Sequence, residues 1–222
     1  MRYSKNMKML TTEENELLRT FKVAIIGCGG LGGYIAEMLA RLGIGNLICI
    51  DGDVFDESNL NRQIISRENN IGEHKAKVAH EHLSGVNSSI DISYKIEMLD
   101  YENAEGILHG YDLVFDAVDS IQTKLMLQEI CEKLEIPMIY GAIAGWYGQV
   151  STILPGDRTL ERIYRADAGI ESELGNPSFT PATVASIQVA EGLKVLLGKP
   201  EILSKKMLYI DLLNQEYETI EF

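Results

Sequence analysis

The chain has 222 residues, 45% of them hydrophobic, and a formal net charge of −13. That length suits one large domain or two small ones, with apolar content sufficient for a substantial core. The negative balance argues against general affinity for nucleic acid or anionic membrane, both of which need cationic surface, and leaves room only for a local basic pocket.

No apolar run approaches the ~20 residues needed to span a bilayer, and MRYSKNMKML lacks a signal-peptide core, so a cytoplasmic protein is expected. The three cysteines, Cys28, Cys49 and Cys131, show no CxxC spacing. There is thus no sequence warrant for a structural zinc site or a disulfide framework.

KVAIIGC (22–28) is a short apolar, β-branched run ending in glycine, as suits a buried strand. Leu31, Ile35, Leu39 and Leu42 then recur at helical spacing until Gly43 and Gly45 stop the helix. NLICID (46–51) reads as a second buried strand, residues 73–83 as a helix, and ISYKIEM (92–98) alternates like a strand. LVFDAV (113–118) is a strand, followed by a helix with Leu127, Ile130, Cys131 and Leu134 on one face. PMIYGAI (137–143) and GQVSTIL (148–154) are the next strands. Residues 155–178 show no clear period and carry charges, glycines and prolines, the signature of a lid or a partly disordered loop. Thr180 as N-cap and Pro181 at the first helical position start a helix lined by Ile187, Ala190, Leu193 and Leu197, which Gly198 and Pro200 end. MLYIDL (207–212) and YETIEF (217–222) close the chain as a hairpin around Leu213, Asn214 and Gln215. Strands alternating with helices imply an α/β fold with a doubly wound, mostly parallel sheet and C-terminal antiparallel strands. No internal boundary appears, so a single domain over 1–222 is expected, with residues 1–20 as an arm and helix.

GCGGLG (27–32) fits GxGxxG between a strand and a helix. Glycines let the backbone approach a phosphate, and the helix N-terminus carries roughly +0.5 of a charge. Asp51 ends the second strand, where an acidic residue holds ribose hydroxyls. A tight turn without ligand is the competing reading, and the kind of nucleotide stays open here.

SNLNRQ (58–63) narrows the choice, because hydride transfer needs no cation beside the phosphates whereas phosphoryl or nucleotidyl transfer does. Arg62 offers a planar fork for phosphate oxygens, Asn59 a neutral donor, and Lys75 a compact charge just inside the next helix. Each also has a bland reading: a solvated loop charge, a turn former, a lysine on an exposed helix face. Asp119 follows LVFDAV at the carboxyl edge of a strand, where ligands sit in open parallel sheets, and could hold Mg²⁺ against a triphosphate. Equally, Asp119 or Ser120 could cap the following helix. Asp116 is read as a strand residue facing a neighbour, and the three cysteines as core residues.

Taken together, GCGGLG, the strand ending Asp51-Gly52-Asp53, SNLNRQ, IGEHKAK and DAVDSIQTK resemble the ThiF/MoeB/HesA family, bacterial relatives of ubiquitin-activating enzymes. The similarity runs over nearly the whole chain. RYSKN (2–6) is similar to the family's RYSRQ arm, and GQVSTIL, the SIQVAEGLKVLLG helix and MLYIDL follow in family order. The resemblance implies a Rossmann-like fold and an adenylyltransferase. With MgATP it would join AMP to the C-terminal carboxylate of a small ubiquitin-like or sulfur-carrier protein, typically ending Gly-Gly, in thiamine or molybdopterin biosynthesis. Carried over by position, the ATP-binding set is Gly27, Gly29, Gly30, Leu31 and Gly32 of the loop, Asp51 at the ribose, and Asn59, Arg62 and Lys75 at the phosphates. Asp53 and Gln63 belong to the same set. Asp119 would serve Mg²⁺ through ATP, and Arg62, Lys75 and Asp119 would carry catalysis. The arm's second Arg, which reaches the partner subunit's ATP in the family, is Lys5 here, and a homodimer is implied. The family's paired CxxC motifs and crossover-loop cysteine are absent, so neither zinc nor thioester chemistry on this chain is expected; the usual DNxxTR reads DSIQTK (119–124). Alternatives are the same chemistry on a tRNA-base or peptide carboxylate, a non-catalytic nucleotide-binding module, or an NAD oxidoreductase resting on GxGxxG and Asp51 alone.

Overall fold

Strand β1 (Lys22–Ile26) is buried along four of its five residues, as a strand covered on both faces must be. This computed structural model describes residues 2–164 and 174–222. Around β1 stand β2 (Asn46–Ile50), β3 (Asp91–Lys95), β4 (Leu113–Asp116), β5 (Met138–Ala144), β6 (Tyr147–Ile153), β7 (Lys206–Asp211) and β8 (Glu216–Glu221). They form one sheet in the order β3-β2-β1-β4-β5-β6-β7-β8. Pairing is parallel from β3 through β5 and antiparallel from β5 to β8. The expected doubly wound sheet with C-terminal antiparallel strands is therefore what forms.

The helices are α1 (Thr12–Leu18), α2 (Gly30–Leu42), α3 (Lys75–Val86), α4 (Ala104–Leu108), α5 (Ile121–Lys133), α6 (Thr159–Ile163) and α7 (Phe179–Leu196). Alternation along each strand divides the core in two. Val23, Ile25, Leu47, Cys49 and Phe115 face α2, α3 and α7, through Ile35, Leu39, Ala79, Val184 and Val189. Ala24, Ile26, Ile48, Ile50 and Val114 face α4, α5 and α6, through Leu108, Leu127, Ile130 and Leu160. The strand β8 is exposed throughout and carries glutamates along the free edge of the sheet.

The chain before α1 lies against the sheet end opposite the strands' carboxyl edge. Tyr3 packs over Gly43, Arg2 donates to the Val86 carbonyl at 3.1 Å, and Asn6 reaches the Leu42 carbonyl. A capping box starts α1: Glu14 N–H donates to Thr11 Oγ1, and Thr11 N–H to Glu14 Oε2.

Several sequence boundaries shift for physical reasons. The expected strands 22–28, 46–51, 92–98 and 113–118 stop early, at Ile26, Ile50, Lys95 and Asp116, because the residues beyond them leave the ladder to shape the carboxyl edge. Thr180 is not the N-cap of α7. Ser178 holds that place without a side-chain cap, and Thr180 Oγ1 instead donates to the Gly145 carbonyl at 2.6 Å. The stretch 155–178 contains α6, anchored where Leu160 N–H donates to Gln128 Oε1. The lid expected there falls largely on 165–173, outside the described residues. The hairpin turn at 212–215 forms as expected, with Asp211 Oδ1 accepting from the N–H groups of Leu213 and Asn214.

Candidate active site

The strand order reverses between β1 and β4, and in such sheets the crevice at the carboxyl edge of that point is the ligand site. A cleft of about 470 Å³ opens there. Gly27, Gly29, Gly30 and Leu31 form part of its floor. Gly27 has φ +92°, and a Cβ there would meet the Ala117 carbonyl; a Cβ on Gly32 would meet the Gly27 carbonyl. Only glycine permits this close strand–loop–helix approach. The helix α2 starts at Gly30 without a side-chain cap, so its first N–H groups remain available to an anion.

Asp51 closes one side of the loop. Its Oδ2 accepts from Cys28 N–H at 2.7 Å and its Oδ1 from Asp53 N–H at 2.8 Å. Burial raises its pKa above the usual aspartate value, against the pull of those two N–H groups and of Lys75. Lys75 is 8% exposed, which removes the reading of an exposed helix-face lysine. Its ammonium gives one hydrogen bond, to Asp53 Oδ2 at 3.0 Å. Arg62 donates through one nitrogen to the Ser58 carbonyl and Asn61 Oδ1, both at 2.9 Å, and forms no ion pair among the described residues. Gln63 is 6% exposed, faces Gly29, and its Oε1 has no hydrogen-bond partner among the described residues. A buried amide left unpaired in this way is costly unless a ligand completes it.

On the far side of the loop, Ser120 caps α5 by accepting from Thr123 N–H at 3.3 Å. Asp119 is thereby freed from capping. It is exposed, lines the cleft, and has no protein partner among the described residues. Gly27, Gly29, Gly30, Leu31, Asp51, Asp53, Arg62, Gln63, Lys75 and Asp119 thus share one cavity.

Asn59 and Lys5 do not border it. The Asn59 Oδ1 accepts from Asp56 N–H at 3.1 Å and shapes the turn that presents Arg62. Lys5 is exposed in the arm docked at the other end of the sheet.

Sequence reasoning passed over two groups and gave Asp116, of a third, only as a strand residue facing a neighbour. Glu97, Met98 and Leu99 border the cleft just after β3, signalled only by their place at the carboxyl end of a parallel strand. Tyr147, Gln149 and Tyr209, on β6 and β7, also line it, with Tyr147 and Tyr209 stacked at 6.1 Å. Below them, Lys124 pairs with Asp116, and both are almost completely buried.

The ThiF family model matches residues 3–222. The chain belongs to the ThiF family.

Among similar proteins, the SAMP-activating enzyme E1 of Haloferax volcanii is 31% identical over all of the chain and 84% of its own length. The sulfur carrier protein adenylyltransferase of Thermus thermophilus is 32% identical over 94% of the chain and 81% of its own length. The molybdopterin-synthase adenylyltransferase of Haemophilus influenzae is 30% identical over 95% of the chain and 90% of its own length. The chain spans about half of some longer relatives, such as 49% of an adenylyltransferase and sulfurtransferase of Zea mays. Among solved structures, the Microcin C7 biosynthetic enzyme MccB, in complex with N-formylated MccA, superposes with a TM-score of 0.86 at 22% identity. That likeness covers all of the chain and 72% of MccB, and it describes the fold.

In this ThiF-family chain the cysteines are buried and free. Contact with Cys49 and burial hold the Cys28 thiol well above its ordinary pKa, and burial pushes Cys131 up to about 12. Neither is a thiolate near neutral pH. Among the described residues no helix is long and apolar enough to cross a membrane.

Proposed function

We propose that the chain uses MgATP to adenylate the C-terminal carboxylate of a small ubiquitin-like or sulfur-carrier protein, typically ending Gly-Gly. The observation that carries this reading is the convergence of unspent polar groups in one cleft. Two cations and, without a partner among the described residues, a buried amide oxygen and a carboxylate border the glycine loop, and the same cavity reaches residues of β6 and β7. The relatives named adenylyltransferases support it.

The donor set fits a nucleoside triphosphate. The carboxylate of Asp51 accepts from ribose hydroxyls, and the glycine loop and α2 N-terminus face phosphate oxygens. Lys75 exchanges Asp53 for a phosphate, and Arg62 turns its unused nitrogens to the same group. Gln63 completes its amide on the nucleotide. Asp119 would hold Mg²⁺, which when bound would supply positive charge beside the phosphates. An oxygen of the carrier's carboxylate, entering along β6 and β7, attacks the α-phosphorus. The bond from that phosphorus to the bridging oxygen breaks, leaving acyl-AMP and pyrophosphate. The side chains position reactants and stabilise charge, with no covalent enzyme intermediate. In this reading Lys5 serves the cleft of a second subunit, since the arm that carries it lies away from its own.

The test is ATP–pyrophosphate exchange with purified protein, MgATP and, in separate arms, a Gly-Gly-ending carrier, a short peptide or tRNA. Exchange is expected with the carrier. Exchange only with peptide or tRNA moves the substrate assignment. ATP binding without exchange in any arm makes the protein a binding module and ends the proposal.

A further inference from the structure

The strands β4 and β5 pair only at Val114–Met138 and Phe115–Ile139. Beyond that point β4 pairs with β1 alone, with Asp116 opposite Ile26, while β5 keeps to β6, with which it pairs along its whole length. The split lies directly below the cleft, and two side chains bridge it from opposite faces. From α7, Gln188 Nε2 donates to the Asp116 carbonyl at 2.9 Å and to the Ile139 carbonyl at 3.3 Å. From α5, Lys124 Nζ donates to both Asp116 carboxylate oxygens at 3.1 Å and to the Gly141 carbonyl at 2.8 Å. The ring of Tyr140 lies 5.2 Å from the same ammonium.

An ammonium has three donors, and Lys124 has used all of them. Although it lines the cleft, it has none left for a substrate. Whatever it does for the reaction it does through what it holds. What it holds is the base of the loop 117–120. Asp116 Oδ1 also accepts from Val118 N–H at 3.1 Å, so the carboxylate that Lys124 fixes sets the first turn of that loop. The same loop presents Asp119 at one end and at the other abuts Gly27 through the Ala117 carbonyl.

We propose that Lys124 is a positioning residue which, by clamping Asp116 and Gly141 across the split between β4 and β5, sets the loop that presents Asp119 and backs Gly27. The inference rests on the role given to Asp119 above.

The experiment compares four proteins: Lys124→Arg, Lys124→Met, the double variant Asp116→Asn with Lys124→Met, and Asp119→Asn. The double variant leaves no buried charge unpaired and so protects against simple failure to fold. Amide hydrogen exchange of the ligand-free proteins reads the loop directly. In the double variant Val118 and its loop neighbours should lose about tenfold in protection while β2 amides hold, since a charge-assisted anchor is gone. Calorimetry should show MgATP binding weakened by a similar factor, about tenfold, in the double variant and in Asp119→Asn. Lys124→Arg keeps donors for Asp116 and should stay within about twofold of the parent protein. Uniform loss of protection across the sheet, or loop protection and MgATP affinity equal to the parent in the double variant, overturns the proposal and leaves the role of Asp119 standing. Unaltered MgATP affinity in Asp119→Asn overturns that role, and the inference with it.

Discussion

On the β1–β2 wall of the cleft, Lys75 gives one hydrogen bond, to an aspartate side chain that is itself 61% exposed. On the β4–β5 wall, Lys124 gives three, to buried partners. Both lysines are buried and both border the same cavity. Among the described residues, one wall leaves donors unsatisfied, as the proposed nucleotide site requires; the other satisfies its donors internally. The difference shows that burial of a charge does not by itself mark a binding group. What marks it is how many of its hydrogen bonds the protein has left unmade.

The contrast is open to direct attack. The largest effect is expected on stability. Lys124→Met leaves the Asp116 carboxylate fully buried and unpaired, which should lower unfolding free energy by about 3–5 kcal/mol. Lys75→Met leaves behind an exposed Asp53 and removes a lesser pull on Asp51, and should cost less. Equal losses in urea titrations would erase the distinction between the walls. Next comes rate: Arg62→Ala removes an electrostatic donor from the open wall and should depress carrier-dependent pyrophosphate exchange by roughly 10²–10³. Unchanged exchange would return Arg62 to the status of a solvated loop charge.

A pH measurement sharpens the picture on the open wall. Burial, the main cause, holds the pKa of Asp51 above its ordinary value, and in the proposed site the ionised form would be the one to accept from both ribose hydroxyls. ATP affinity should therefore fall, as pH is lowered, at a higher pH than an ordinary aspartate would give, and Asp51→Asn should flatten that limb. For stability the sign is opposite to that of a salt-bridged aspartate. With the folded value raised, this group favours the fold at low pH, and that contribution is lost as pH rises from the unfolded value through the folded one. On the framing wall, Ser120→Ala removes the α5 cap and should cost about 1 kcal/mol of stability.

How much of this was legible in the sequence follows the same division. The open wall could be read, because its groups stand in short local motifs: the glycine loop, Asp51 at a strand end, Arg62 in SNLNRQ, Lys75 at a helix start. The alternatives at Lys75 and Asp119 could be separated only by structure, since one depended on burial and the other on whether Ser120 took the capping role. The frame was opaque. Lys124 and Asp116 are eight residues apart across a strand end, a loop and a helix start, and nothing local announces that they meet. Tyr147 and Tyr209 come together only through the pairing of β6 with β7. Asn59 was legible as part of a motif, yet it does not border the cleft: its Oδ1 accepts from Asp56 N–H and its Nδ2 donates to Ser58 Oγ at 3.4 Å. Thr180-Pro181 looked like a helix start because its propensity is local, but the Gly145 carbonyl competes for the hydroxyl from a distant turn.

The resting ion pair between Asp53 and Lys75 has a bearing on selectivity. A small anion such as chloride or inorganic phosphate meets an ammonium whose charge a tethered carboxylate already partly neutralises, whereas a nucleoside triphosphate arrives with a sugar and several charged oxygens at once. The ammonium is thereby self-screened, and sorting by charge starts before any base is read. Asp53→Ala should accordingly make inorganic phosphate a better competitor of ATP, and a competition titration that finds no change would show the tether to be idle.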